Sequence, residues 1–428
     1  MYQKIDFKTA WLWVFCCLAL LSARAQNEIS TPYSSYGIGT VIRTSNGVLD
    51  AMGGTSYAMQ SPYYINFRNP ASYAAFDSLS FIADVGASVF SSRLHQGDLS
   101  QQNTYAKPNY LTIGLPVTKH WRTSAGIMPF SDIGYNIKNS ILDDNLGRIT
   151  YSYSGDGGLY QLYWGNAFKI CKGLSIGLNV SYLFGSVYAY SNTEFEGNHF
   201  FNTAVNDAYS VDGIYLNAGI QYMFNIGEKH RLGLGAVYSN TAYIWAKEKL
   251  LVNSYSGTYI ATTLYDTILY KDDLHGRLTI PQSIGGGISY TYDNKLTVAA
   301  DLTWLNWKKF QFMKPSHDTL QNSLSASLGI QFTPDPTSNK FFRKMSFRAG
   351  GKYSSGELLL HNKPISEFGV CIGVGVPLTT FNTHSSINLL FEYGMTGTTA
   401  NNLVQQDYFR FSFCFILQER WYQRVKID

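Results

Sequence analysis

Charge is scarce in this 428-residue chain: 14% of residues are Asp, Glu, Lys or Arg, against roughly 25% in a soluble domain. Long apolar runs are missing too. Beyond residue 25 no stretch reaches eighteen consecutive apolar residues, which excludes a transmembrane helix. Cysteine is sparse and odd in number there, with Cys171, Cys371 and Cys414 in stretches that read as strands. An odd set excludes a closed disulfide framework and leaves buried or lipid-facing thiols. Setting aside Lys4, Asp6, Lys8 and Arg24, 30 Lys/Arg stand against 28 Asp/Glu, so the strong basic footprint of a nucleic-acid binder is absent. The eight His residues have no metal-ligand spacing, and no phosphate loop or dinucleotide fingerprint occurs, so no cofactor or metal is expected. Gly173-Leu-Ser-Ile-Gly177 matches a nucleophile pattern, but it opens an alternating strand where that pattern needs a strand-to-helix elbow. The chain is not read as an enzyme.

Aromatic residues and glycine are abundant: 15% of the chain is aromatic, with 32 Tyr, 26 Phe and 38 Gly. Residues 1–25 carry Lys4 and Lys8, an apolar run from Ala10 to Leu21, and Ala23-Arg24-Ala25. These are the parts of a cleaved secretory signal peptide, with Gln26 as the expected mature start. The most regular stretch is the hairpin 278–307. Leu296, Val298, Ala300, Leu302 and Trp304 share one face, and Thr297, Ala299, Asp301 and Thr303 the other. Asp293-Asn294 makes its tight turn, since both residues tolerate positive φ.

Alternating arms recur at about 79–92, 109–118, 121–137, 158–170, 173–188, 211–225 and 229–247, then at 276–292, 295–308, 322–334, 344–357, 365–378, 384–396 and 406–420. That is an even number, fourteen, as closure into a bacterial barrel requires. Tight connections (Lys119-His120, Cys171-Lys172, Gly227-Glu228, Asp293-Asn294) alternate with long ones at 93–108, 138–157, 189–210, 248–275 and 309–321. Short periplasmic turns and long external loops give this rhythm, which weakens near the end, where 335–343 is a longer inner connection and 358–364 a shorter outer one. A soluble sandwich supplies no reason for every second connection to be long. The expected fold is all-β: a 14-stranded antiparallel transmembrane β-barrel in the bacterial outer membrane, in contact with its lipid and lipopolysaccharide, with both termini periplasmic.

The last arm carries Phe409, Phe411, Phe413 and Phe415 as a lipid-facing stripe, with Arg410 and Ser412 turned to the lumen and Trp421 and Tyr422 as an interfacial girdle. Residues 26–77 do not alternate and have no place in the wall. They read as an N-terminal plug in the lumen, or else as a periplasmic tail. The expected domains are signal peptide 1–25, plug 26–77, barrel 78–421 and a periplasmic tail 422–428.

Several motifs lie along the chain: Gly53-Gly54 and Asn69-Pro70-Ala71 in the plug, Gly126-Ile-Met-Pro-Phe-Ser-Asp-Ile-Gly-Tyr135, and Gly157-Gly-Leu159 with Tyr163-Trp-Gly165. Others are Leu174-Ser-Ile-Gly177 through Tyr182-Leu-Phe-Gly185, then Pro281, Ser283, Asp301, Trp304 and Trp307, and Phe391-Glu-Tyr-Gly394, Asn402-Leu403 and Glu419-Arg-Trp421. In this order they resemble the motifs of the FadL-type long-chain fatty-acid transporters of the outer membrane, in their Bacteroidetes branch. The resemblance implies passive uptake of long-chain fatty acids or other small hydrophobic molecules, caught by external loops and released sideways at a kink in the third strand. It also implies an alternative, because such barrels include non-transporting accessory subunits of outer-membrane protein secretion and assembly complexes.

Several residues carry these readings physically. Pro129, with Phe130 and Asp132, lies within the third arm, where a missing ladder donor makes either a plain bulge or a lateral gate. Leu250, Leu251, Tyr255, Tyr259 and Ile260 in one long connection, and Leu358 and Leu359 in another, are apolar for water-facing loops. They serve ligand capture or pack on each other and on lipopolysaccharide. Strand parity turns Asp84, Asp301, Arg348, Lys352, Glu392 and Arg410 into the lumen. There they pair with one another and the plug, or receive an ionised ligand.

Overall fold

The computed structural model describes residues 31–197, 200–256, 265–313, 320–338, 340–379 and 384–420. The expected signal peptide, Trp421, Tyr422 and the C-terminal tail lie outside them. Among the described residues, fourteen wall strands form one antiparallel sheet closed on itself. They are β1 (Ser80–Gln96), β2 (Leu99–Pro116), β3 (Trp121–Asp143), β4 (Gly147–Lys169), β5 (Leu174–Phe195) and β6 (Asn202–Ile226). A break divides β7 (His230–Ser239 and Ala242–Tyr255), and another divides β8 (Tyr265–Ile280 and Ser283–Tyr292) at Pro281. The rest are β9 (Leu296–Leu305), β10 (Ser323–Phe332), β11 (Ser346–Ser354), β12 (Glu367–Thr379), β13 (His384–Gly397) and β14 (Gln405–Arg420). The barrel closes where β14 pairs with β1, from Ser80↔Arg420 to His95↔Gln405.

Alternation places the side chains. In β9, Thr297, Ala299 and Asp301 are buried while Leu302 is exposed. In β14, Phe409, Phe411 and Phe413 point out, and Ser412 and Cys414 point in. Asp293 and Asn294 both take positive φ, 51° and 53°, as a hairpin turn of this hand needs. Ile113, Trp164, Ile220, Ile288, Leu328 and Ile372 continue the exposed apolar belt around the wall. A belt of that extent suits lipid and not water.

The wall is uneven in height. Strands β3 to β6 run 22 to 25 residues, while β9, β10 and β11 have only 9 or 10. Crossing a bilayer takes about 9–11 residues of strand, so β3 to β8 rise above the rim as a six-stranded sheet. Most of 93–108, 138–157, 189–210 and 248–275, expected as loops, is therefore strand. The physical reason is that both faces of this upper sheet are largely wet, with only scattered buried side chains such as Ile149, Val187 and Tyr255. Ser, Thr, Tyr and Asn occur on each, and the period-two signal fades. Cys171 is a second correction: it is exposed in the turn before β5, not inside a strand.

Residues from Tyr33 to Phe76 fill the barrel. Val48, Ile65, Phe67, Tyr73 and Phe76 pack against Ile82, Tyr110, Met128, Tyr163 and Ile416 of the wall. The interior core thus forms between plug and wall.

Candidate functional site

The plug is seated by caps, close approach and charge. Asn69 begins the short 3-10 helix Pro70–Ala75: its Oδ1 accepts from Ala71 N at 3.1 Å, and its Nδ2 donates to the Tyr57 carbonyl at 2.6 Å. Pro70 fits the first helical position, where no N–H is needed, and Ala71 is fully buried. Gly53 and Gly54 both have positive φ, which only glycine takes without cost. Gly53 N donates to Cys371 Sγ at 3.1 Å. Wall glycines receive the plug: a Cβ on Gly235 would stand 1.8 Å from the Tyr57 carbonyl oxygen, and one on Gly350 2.3 Å from Gly53 N. These wall glycines were not among the expected site residues. Their signal was glycine at lumen-facing parity in otherwise regular arms.

All six expected lumen charges face inward, and the fold brings them to plug and wall partners. Asp301 Oδ2 accepts from Ser56 N (2.6 Å) and Tyr57 N (3.0 Å). Asp84 accepts from Asn46 Nδ2 of the plug. Glu392 is ion-paired with Arg410 and with Lys352 (2.9 Å), Lys352 reaches Glu367 (3.0 Å), and Arg410 reaches plug Asp50 at 3.3 Å. Arg348 donates to Gln331 (2.7 Å) and Asn388 (2.9 Å). A cavity of about 300 Å³ lies over this network, lined in part by Arg43, Asp50, Lys107, Lys352, Glu392 and Arg410. In its lining, burial pushes the Glu357 carboxyl up, and Arg43 offsets this only in part.

Pro129 lies at a defect in the wall. The β3–β4 register slips between Pro129 and Ser131, which reverses side-chain parity: Ile127 is exposed, whereas Ser131 and Ile133 are buried. Phe130 packs edge-on against Tyr215 at 6.0 Å. Strands β2 and β3 pair only from Leu111↔Ile127 to Pro116↔Arg122. Above that point β2 follows β1 and β3 follows β4, so the wall is split.

The plug fills the base of the split. Thr40–Val41 pairs with Asp132 and Ser131, Ile42 N donates to the Phe130 carbonyl (2.9 Å), and Thr31 N donates to the Gly134 carbonyl (3.2 Å). Lys107 of β2 meets Asp132 of β3 at 3.0 Å across the opening. A second cavity of about 160 Å³ adjoins Pro129, with mostly apolar lining that includes Phe67, Met128, Phe130, Ile280 and Trp307. Residues Val41–Thr44 line both cavities.

The expected capture residues are placed differently. Leu250, Leu251 and Tyr255 are in β7, with the leucines half-buried and Tyr255 buried, so they are not loop residues. Tyr259 and Ile260 lie outside the described residues. Leu358 bridges to Leu320, and Leu359 belongs to a small hairpin, Leu359–Leu360 with Lys363–Pro364. Leu358 and Leu360 pack on Tyr33, Ile365 and Leu403. This connection folds over the start of the plug because its apolar side chains find a buried surface there. Among the described residues, no group of His, Cys, Asp and Glu is arranged to hold a metal.

Residues 1–428 match the family model described as BamG. The chain belongs to the BamG family. No curated protein sequence matches this BamG-family chain. Among solved structures it is similar to the Pseudomonas putida toluene transporter TodX, with 17% identity, a TM-score of 0.60, and 90% of this chain and 99% of that one covered. It is also similar to a Pseudomonas aeruginosa FadL homologue (12% identity, TM-score 0.59, 90% and 100% covered). A third is the Ralstonia pickettii toluene transporter TbuX (14% identity, TM-score 0.57, 88% and 98% covered). At these identities the likeness establishes a shared FadL-like fold.

Proposed function

We propose that this BamG-family barrel is an outer-membrane accessory subunit, a scaffold within a protein secretion or assembly complex. In this reading residues 1–25 are a cleaved signal peptide, the short-turn end is periplasmic with both termini, and the tall sheet stands outside the cell. The observation that carries it is the closure of the wall split by Thr31–Ile42, on a plug locked by Asp50–Arg410–Glu392 and Asp301. In this state the plug's own backbone occupies the opening that a lateral exit would need. The described path through the lumen crosses paired charges and not a continuous apolar channel.

A second reading, uptake of a small hydrophobic molecule, is supported by the apolar cavity at Pro129 and by likeness to solved toluene transporters. At about 160 Å³ that cavity matches in volume an apolar site of about 150 Å³ that binds benzene, although Arg43 and Arg68 share its lining. A long-chain fatty acid needs more room. Pro129, Phe130 and Asp132 would form the exit, and Leu250, Leu251, Leu358 and Leu359 a capture surface, only after the plug strand leaves.

Native mass spectrometry of gently solubilised protein, wild type beside Pro129→Ala, separates the two. A stoichiometric outer-membrane protein partner with an empty barrel is the expected result. A bound hydrophobic molecule in molar amount, its occupancy altered by the substitution, would replace the scaffold reading with transport.

A further inference from the structure

The six-stranded sheet above the rim has two edges, and they are built differently. The β8 edge is protected. Its pairing with β7 slips twice, at Thr267/Leu269 and Lys271/Leu274, and it carries Asp272 and Asp273 in ion pairs with Lys249 and Lys247. Bulges and charges of this kind keep an edge from pairing with another chain.

The β3 edge has no bulge from Tyr135 to Asp143, and its charge is sparse. Its register with β4 runs without slip from Ser131 to Asp143, and Lys138 and Asp143 are its only charged residues. Ile137, Ile141 and Leu142 are exposed, Leu142 at 79%. Among the described residues no strand pairs with its outer side beyond Gly134. This edge already accepts extended chain at its base, where Thr40–Val41 pairs with it and Gly134 uses both backbone groups toward Thr31 and Ser34. By alternation, Asn136, Lys138, Ser140 and Leu142 turn their N–H and C=O groups the same way. Tyr135, Ile137 and Ile141 face the inner side beside Tyr153 and Ile149.

We propose that Tyr135–Asp143 is the docking edge for an extended segment of a partner protein, which adds a strand to the sheet beside β3. The inference rests on the accessory-subunit reading and names its contact. The segment it fits is largely uncharged, with apolar residues at alternate positions to cover Ile137 and Ile141.

A photo-crosslinker placed singly at Asn136, Lys138, Ser140 and Leu142 of the full chain in its native membrane tests this. Crosslinks should fall on one segment of one other protein, and the crosslinked position should step by two residues as the probe steps by two. With the probe at Leu142, Lys138→Pro with Ser140→Pro removes two outward donors but none of the backbone bonds to β4, and should cut crosslinking tenfold or more; the Ser140–Thr150 hydroxyl contact is lost equally in the alanine control. Lys138→Ala with Ser140→Ala keeps the donors and should retain it. Crosslinks to a second copy of this chain would overturn the proposal, as would scattered positions without register or indifference to the proline pair. If the chain still co-purifies with its complex in those cases, the docking edge fails while the accessory reading stands. If no partner co-purifies at all, both fail.

Discussion

Arg410 shows how a single lumen residue ties plug to wall. Its guanidinium touches Glu392 on the neighbouring strand and Asp50 in the plug, in a site where Glu392 is 2% exposed. Arg410→Met removes the cation and strands the Asp50 carboxylate, because Lys352 still serves Glu392. Breaking a buried pair from one side costs roughly 3–5 kcal/mol. The variant should unfold earlier in a denaturant titration, and adding Asp50→Asn should recover part of the loss. Gly350 tests close approach instead of charge. Gly350→Val drives a side chain into the backbone of Met52 and Gly53, an overpacking that costs about 1–3 kcal/mol or more. Limited proteolysis should then cut within 31–77 at protease levels that leave the wild type intact. The inward turn of Arg410 and Asp301 could be read from parity alone. Their partners could not, since Asp50, Ser56 and Tyr57 lie more than 240 residues away in the chain.

At the scale of elements, the bulge at Pro129 and the plug strand Thr40–Val41 act on one another. The bulge breaks the β2–β3 ladder, and the plug strand repairs the backbone pairing that β3 would otherwise lack. Ile42→Pro deletes the donor to Phe130, a bond worth a net 0.5–1.5 kcal/mol or so. The barrel should remain folded while permeability to small solutes rises in proteoliposomes. Unchanged permeability would mean that the plug strand does not seal the split. The kink was legible because proline within a strand has few physical outcomes. Its sealing was not, because Thr40–Val41 is a two-residue strand with no pattern of its own. The upper halves of β3 to β8 were also illegible, since two largely wet faces weaken the contrast that marks a strand.

Across the whole molecule, the exposed apolar belt locates the bilayer and the tall sheet locates the water phase. Ile372→Arg, in the belt, should destabilise the barrel by about 2–4 kcal/mol on folding into lipid vesicles. Leu142→Arg, above it on β3, should change that stability by less than about 0.5 kcal/mol. Equal losses would mean that the sheet above the rim is also embedded.

The sequence by itself determined the class of this protein: an all-β chain of fourteen alternating arms, with an inner and an outer face and an N-terminal segment apart from them. Those properties are local, because alternation, turn chemistry and scarce charge are each written within a few neighbouring residues. Only the tertiary structure decided where the wall splits, what fills the split, and which edge of the upper sheet is unguarded. Each of these depends on backbone pairing between segments far apart in the chain, and backbone hydrogen bonds carry no side-chain signature that a sequence can display.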